Sequence, residues 1–408
     1  MRPRDPFKLP TLFCLYIAQS IPMAFFSTVL PVIMRQEQYS LSQIGLLQLI
    51  KLPWIVKLLW APVVDHRARD YTSLRRWIIL SELFYACIIL GIGLLELKTN
   101  FGLILLLVIL SFAASATQDI AVDKYAILSL RGSERGLGNS MQAGGSFVGS
   151  LFGTGVLLVA YHHLGWQWVL SLLAMFIVLA VLPLWLRRRR DRLYESAPRS
   201  RRSINLRDIP GFFTSLSSKR HILLLLLYYS GIIGVMAMVK PFMVDLGYST
   251  ERIAVMLGVF GSAVAALCAM AGGLLLRRMG HLRALASFLC LSLMAALFYW
   301  YISLGIPSEI QMYVAIAWVW GAYGLSSVGI YTLAMDRVRP ELEGTDFTIQ
   351  IMITHLSGLI VAALSGRMAD AFGYTALFGV EAVLSLLALL VLWSQSRSLE
   401  VSQESQII

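Results

Sequence analysis

The strongest constraint on this chain is the recurrence of apolar runs about twenty residues long, the length a helix needs to cross a bilayer core. Six such runs lie at about 9–33, 42–62, 77–97, 102–124, 137–160 and 166–186. Six more follow at about 220–243, 252–276, 282–304, 309–335, 345–368 and 375–394. Of the 408 residues, 58% are hydrophobic and only 14% are charged, more apolar surface than a soluble protein of this size could hide. The expected fold is an all-α membrane protein with twelve transmembrane helices in two pseudo-symmetric six-helix bundles.

The charges fix an orientation. With both ends cytoplasmic, the inner loops hold Arg67, Arg69, Arg75, Arg76, Arg131, Arg135, Arg277, Arg278, Arg283, Arg337 and Arg339. The outer loops keep few cations, among them Arg35, Lys98 and Arg252. The positive-inside rule then gives N-in, C-in topology. A basic stretch divides the runs, so the expected domains are an N-terminal bundle at 1–186, a cytoplasmic linker at 187–219 and a C-terminal bundle at 220–408. The linker's arginines suit anionic lipid rather than nucleic acid. Ile204, Leu206, Ile209, Phe212, Phe213 and Leu216 within it are expected to form a short interfacial helix. No Walker-type loop is present, so any energy source is not ATP bound by this chain. Cys14, Cys87, Cys268 and Cys290 lie in apolar runs at no metal-ligand spacing and read as packed thiols. The basic start, Met1 to Lys8, leads into a first membrane helix without a small-residue cleavage site.

Charged residues inside the runs mark a polar pathway, because a cation at the bilayer centre costs roughly 2.5–3.5 kcal/mol unless it meets water or a counter-charge. Lys51 lies near the middle of the second run and is expected to face a cavity, binding an anion or pairing with an acid. Lys57 lies about 9 Å nearer the cytoplasm and roughly 120° away on an ideal helix. It is expected to reach the interface or close an inner gate. Asp119 and Asp123 share one face of the fourth run at i, i+4. Asp119 stands equally open to a salt bridge and to a coupling role, and Asp123, beside Lys124, to a gate at the loop edge. His355 is the histidine placed inside a span, where a near-neutral pKa suits proton exchange and a plain interhelical hydrogen bond is the structural alternative. Gly145, Gly149 and Gly153 form a ladder that permits close helix packing.

A weak repeat relates the halves. Asp123…Gly136-Leu-Gly-Asn-Ser-Met-Gln142 is echoed by Asp336…Gly344-Thr-Asp-Phe-Thr-Ile-Gln350, with Gly six residues before Gln in both. Ala61-Pro-Val-Val-Asp65 has a degraded echo in Gly273-Leu-Leu-Leu-Arg277-Arg278-Met-Gly280. Repeated halves with a substrate site near the midplane are the build of a rocking transporter. These residues resemble the major facilitator superfamily and its Gly-x-x-x-Asp-Arg-x-Gly-Arg motif, with Ala61 in place of the leading Gly and Arg277 where the second acid belongs. Trp54-Ile-Val-Lys57-Leu-Leu-Trp60-Ala-Pro62-Val-Val-Asp65 and Ala116-Thr117-Gln118-Asp119-Ile-Ala-Val-Asp123 resemble AmpG-type muropeptide permeases and the related acetyl-CoA transporters. Gln118-Asp119-Ile-Ala-x-Asp123 followed by Gly138-Asn139-Ser-Met-Gln142-Ala-Gly-Gly145 looks closest to the RhtX/FptX siderophore importers.

The resemblance implies a cavity lined by the first, fourth, seventh and tenth spans. Those spans offer Gln19, Ser20 and Ser27, then Gln118 and Asp119, then Tyr228 and Tyr229, and finally Tyr323, Ser326, Ser327 and Tyr331. Gln142 joins the binding set through the siderophore-type motif, and Asp65 with its basic neighbours is expected to gate the cytoplasmic side. The expected function is a proton-coupled importer of an organic anion or zwitterion across the inner membrane. A ferric siderophore is the first cargo and a muropeptide the alternative. The expected protein is a monomer in the lipid bilayer, without cofactor, metal, catalytic residue or nucleic-acid partner. A membrane-embedded transferase or a sensor is the rival class, and the scattered loop histidines offer no catalytic cluster for the former.

Overall fold

A computed structural model describes residues 7–186, 204–214 and 216–395, and every regular element among them is helical. Nine helical runs among these residues are long and apolar enough to cross a membrane. They are α1 (Lys8–Gln36), α4 (Tyr71–Gly93), α5 (Phe101–Ser129), α6 (Gly132–Leu186), α7 (Lys219–Asp245), α8 (Thr250–Met279), α9 (His281–Ile302), α10 (Glu309–Asp336) and α11 (Glu343–Ser394). A tenth arises when α2 (Gln43–Leu59) and α3 (Ala61–Arg67), bent by 53°, count as one.

Local chemistry explains the breaks. Pro53 and Pro62 sit in the first turns of short helical pieces, and 3₁₀ turns at Leu47–Lys51 and Lys57–Leu59 interrupt the α-helix between them. Proline lacks the N–H that would continue the ladder and its ring crowds the preceding turn, so the second run is jointed rather than straight. In α6 and α11 the joint is a glycine: Gly165 has φ +77° and Gly373 φ +79°, a region other residues enter at a cost. At 1.5 Å per residue the 55 residues of α6 and 52 of α11 exceed twice the ~30 Å hydrocarbon core, so each has length for two crossings.

The expected interfacial helix of the linker is replaced by two single turns, Leu206–Asp208 and Pro210–Phe213, because Pro210 cannot extend the first of them. Leu216 opens a separate helix, Leu216–Tyr228. Residues 187–203 of the expected linker lie outside the described residues.

The chain divides into two compact units, each drawing on a distant segment. The first unit comprises Met1–Leu130, Gly145–Ile209 and Val338–Thr348; the second comprises Arg131–Gly144, Pro210–Arg337 and Ile349–Ile408. The core of the first unit is built from Phe25, Phe26, Val108, Phe112, Leu170 and Ile177. That of the second contains Phe242, Tyr299, Met312, Val319 and Phe378, with Phe242 edge-on to Phe378 at 5.6 Å.

The glycine ladder packs as expected. A Cβ at Gly149 would stand 2.6 Å from Ser20 Cβ, and one at Gly153 would stand 2.5 Å from the Ile21 carbonyl oxygen on α1. Neither α1 neighbour can be cleared by a flexible side chain. Gly153→Ala is therefore expected to lose about 1–3 kcal/mol of stability, measured by thermal melting in detergent. Gly155→Ala is the control, since nothing lies within 4 Å of its Cβ position.

Candidate functional site

The first unit carries a buried polar row on α5, at Gln118, Asp119, Asp123 and Lys124. A span this apolar can hold such groups only if neighbouring helices satisfy them. On α1, Gln19 Nε2 donates to Gln118 Oε1, and the Tyr16 hydroxyl donates to Asp123 Oδ1 at 2.7 Å. Lys8 Nζ, one helix end away, donates to the Ser129 carbonyl at 2.8 Å.

Asp119 is held by Lys57, with Nζ 2.5 Å from Oδ2 and both side chains 7% exposed. The same ammonium lies 4.8 Å from the centre of the Trp54 ring, a cation–π contact. This corrects the sequence expectation on two points, Lys57 and Asp123. Lys57 does not reach for the interface but is buried in an ion pair. Asp119, left open between a salt bridge and a coupling role, forms the salt bridge with Lys57, and Lys51 is exposed at the end of its 3₁₀ turn. Asp123 is no loop-edge group; it is 2% exposed and bonded to Tyr16.

One turn further along, Asp65 is fully buried at the C-terminal part of α3. Lys124 Nζ lies 2.8 Å from its Oδ1 and 3.8 Å from Glu343 Oε2. The carboxylate also accepts from Gly344 N at 3.1 Å, from Thr345 N at 2.7 Å and from Thr345 Oγ1 at 2.6 Å. Asp65 thus satisfies two of the unpaired N–H groups that open α11, where the helix dipole also favours a negative charge. Gly344 eases this approach, because a Cβ would stand 3.0 Å from Asp65 Oδ1 and press on it. The start of α11 is tied further by Arg339, which grips Asp346 through two nitrogens at 2.8 and 2.6 Å. The Asp346 carboxylate raises the Arg339 guanidinium above its ordinary range.

The second unit has its own version of this arrangement. Ser140 Oγ accepts from Gly273 N at 2.7 Å, and Arg135 and His281 hold Asp336 at 2.6 and 2.9 Å. A Cβ at Gly136 would stand 3.2 Å from Leu276 Cβ. The repeated Gly-x₅-Gln pattern is therefore a repeated close approach near the start of a helix. Gln142 is buried in this segment, while its counterpart Gln350 donates to the Ala334 carbonyl at 3.1 Å.

Of the aromatic candidates, Tyr228 and Tyr229 are buried and set edge to face at 5.8 Å, and Tyr229 meets the half-buried Tyr323 at 5.6 Å. His355 lies exposed on α11. Sequence reasoning passed over three groups. His221, among the scattered loop histidines of the sequence, is 2% exposed with Nε2 2.5 Å from Gln350 Oε1. Glu82 is 1% exposed with no hydrogen-bond partner for either carboxylate oxygen, and Glu381 accepts from Ser365 Oγ at 2.7 Å. A lone carboxylate inside an apolar run was the available signal for both glutamates.

The chain is similar to known proteins along most of its length. Residues 12–362 match the Major Facilitator Superfamily profile. The chain is 25% identical over 390 residues to the anhydromuropeptide permease of Escherichia coli K12, covering 94% of this chain and 79% of that protein. It is 21% identical over 404 residues to a putative transporter, AmpG 4, of Rickettsia conorii, covering 95% and 96%. In fold it is similar to the crystal structure of the human organic anion transporter MFSD10, with TM-score 0.73, 13% identity and coverage of 95% and 100%.

Proposed function

The chain belongs to the Major Facilitator Superfamily, a multi-pass membrane transporter of an organic solute, and from that premise we propose that it imports an anhydromuropeptide-like solute coupled to protons. The observation that carries this reading is the alignment with the anhydromuropeptide permease over 94% of the chain. It favours the muropeptide alternative over the siderophore that the fourth-span motif suggested, for which neither relative offers support. We take twelve spans, N-in and C-in, as the working topology, with α6 and α11 each crossing twice and the jointed second run crossing once.

A sugar-linked peptide presents carboxylates, amides and hydroxyls. Lys51 supplies an exposed cation for a carboxylate, and Gln19 and Gln118 supply amide partners. In the proposed cycle a proton competes with Lys57 for Asp119. Neutralising the carboxylate frees the ammonium, so proton and substrate occupancy become linked through one ion pair. Asp65 acts as the inner latch, holding the start of α11 while the cytoplasmic side is closed.

The test is uptake of labelled anhydromuropeptide into proteoliposomes with an inward proton gradient, with ferric siderophore as the parallel arm. Accumulation of unmodified muropeptide that collapses with a protonophore is the expected result. Accumulation that survives the protonophore would remove proton coupling. Siderophore uptake in its place would return the cargo to the first expectation, and a chemically altered solute would point to an enzyme.

A further inference from the structure

An unassigned groove of about 670 Å³ lies on the first unit, lined by residues of α3, α4 and α5. One end is basic: Arg67, at the close of α3, and Arg76, in the opening turns of α4, line it together with Ser73. Both arginines are exposed, and neither makes an ion pair among the described residues. The nearby acid, Asp70, is occupied in capping α4 through the Ser73 amide.

From Arg76 the wall continues through Leu80 and Phe84, spaced i, i+4, i+8 on one face of α4, with Trp77 beside them. Leu80 is 66% and Phe84 56% exposed. Leu110 forms the opposite wall, and Ala113 and Ala114 leave the floor low. The run from Arg76 to Phe84 rises roughly 12 Å, close to the depth of one ~15 Å leaflet.

We propose that this groove binds one anionic glycerophospholipid of the cytoplasmic leaflet, phosphate diester on Arg67 and Arg76 and acyl chain along Trp77, Leu80 and Phe84. Guanidinium is the cation best matched to a phosphate, through paired N–H donors. The trough below it is mainly apolar and carries no charge, as an acyl chain requires; its two hydroxyls are Ser81 and Thr117, and the latter is satisfied by the Ala113 carbonyl at 2.8 Å. The charge stands at one end alone, which favours a lipid over an amphipathic partner helix. The inference rests on the working orientation above but not on the transported solute.

The test uses the full-length protein and the quenching of Trp77 by lipids with brominated acyl chains. The Trp77 signal is the difference between the native protein and Trp77→Phe. Brominated phosphatidylglycerol is expected to quench at mole fractions about tenfold lower than brominated phosphatidylcholine. The Arg67→Gln/Arg76→Gln variant is expected to lose that preference. Equal quenching by the two lipids in the native protein overturns the proposal, as does a preference retained in the double variant. If that variant does not fold, Leu80→Lys serves in its place. It is expected to weaken quenching by both lipids, and unchanged quenching overturns the proposed acyl path. Failure of muropeptide uptake leaves this readout untouched, so the two proposals fail separately.

Discussion

Lys57→Ala is expected to destabilise the protein by about 3–5 kcal/mol and to abolish solute uptake, because it strands the Asp119 carboxylate, 7% exposed, without its counter-charge. Asp119→Ala is expected to do the same from the other side. Removing both charges together, as Lys57→Met/Asp119→Leu, should recover most of the melting temperature, since a buried pair contributes little beyond what apolar packing supplies. Uptake should not recover with it. That separation distinguishes an ion pair that works in the cycle from one that only fills the helix contact. A double variant that transports normally would end the coupling role, and single variants that melt like the native protein would end the structural one.

Asp65→Ala is expected to be nearly as severe. It removes four contacts at once: the Lys124 ammonium, two backbone amides and the Thr345 hydroxyl. Lys124, 1% exposed, is then left with the backbone carbonyl of residue 65 at 3.2 Å and Glu343 at 3.8 Å. A loss of about 3–5 kcal/mol follows, together with at least a tenfold fall in uptake. Asp65→Asn separates charge from shape. It keeps one acceptor oxygen, enough for the Thr345 pair or for Gly344 but not both, and no charge for Lys124, so its melting temperature should fall between those of native and Ala proteins. Asn and Ala variants that melt together would mean the amide contacts contribute nothing.

The helices were legible because each is long and apolar enough to be read without knowing its neighbours. The glycine ladder was legible for a related reason, since a four-residue spacing of the smallest residue marks a close approach. The ion pairing was not. The sequence argument placed Lys51 and Lys57 roughly 120° apart by assuming one straight helix, whereas 3₁₀ turns at Leu47–Lys51 and Lys57–Leu59, with Pro53 between them, joint the run at both lysines. Side-chain direction after such a joint cannot be counted from residue numbers. His221 illustrates a second limit: its partner, Gln350, lies 129 residues away, and nothing local announces it. Glu82 was a different case, an omission that the rule applied to Lys51 would have caught.

The buried position of Asp65 has a consequence for biosynthesis. Its hydrogen-bond donors on Thr345 lie 280 residues downstream. A growing chain that has completed α3 and α5 therefore holds Asp65 and Lys124 together but lacks the amides that finish the cluster. The first unit cannot reach its final arrangement until most of the second has left the ribosome. Truncation before residue 343 should then yield a protease-sensitive N-terminal half rather than an independently finished one.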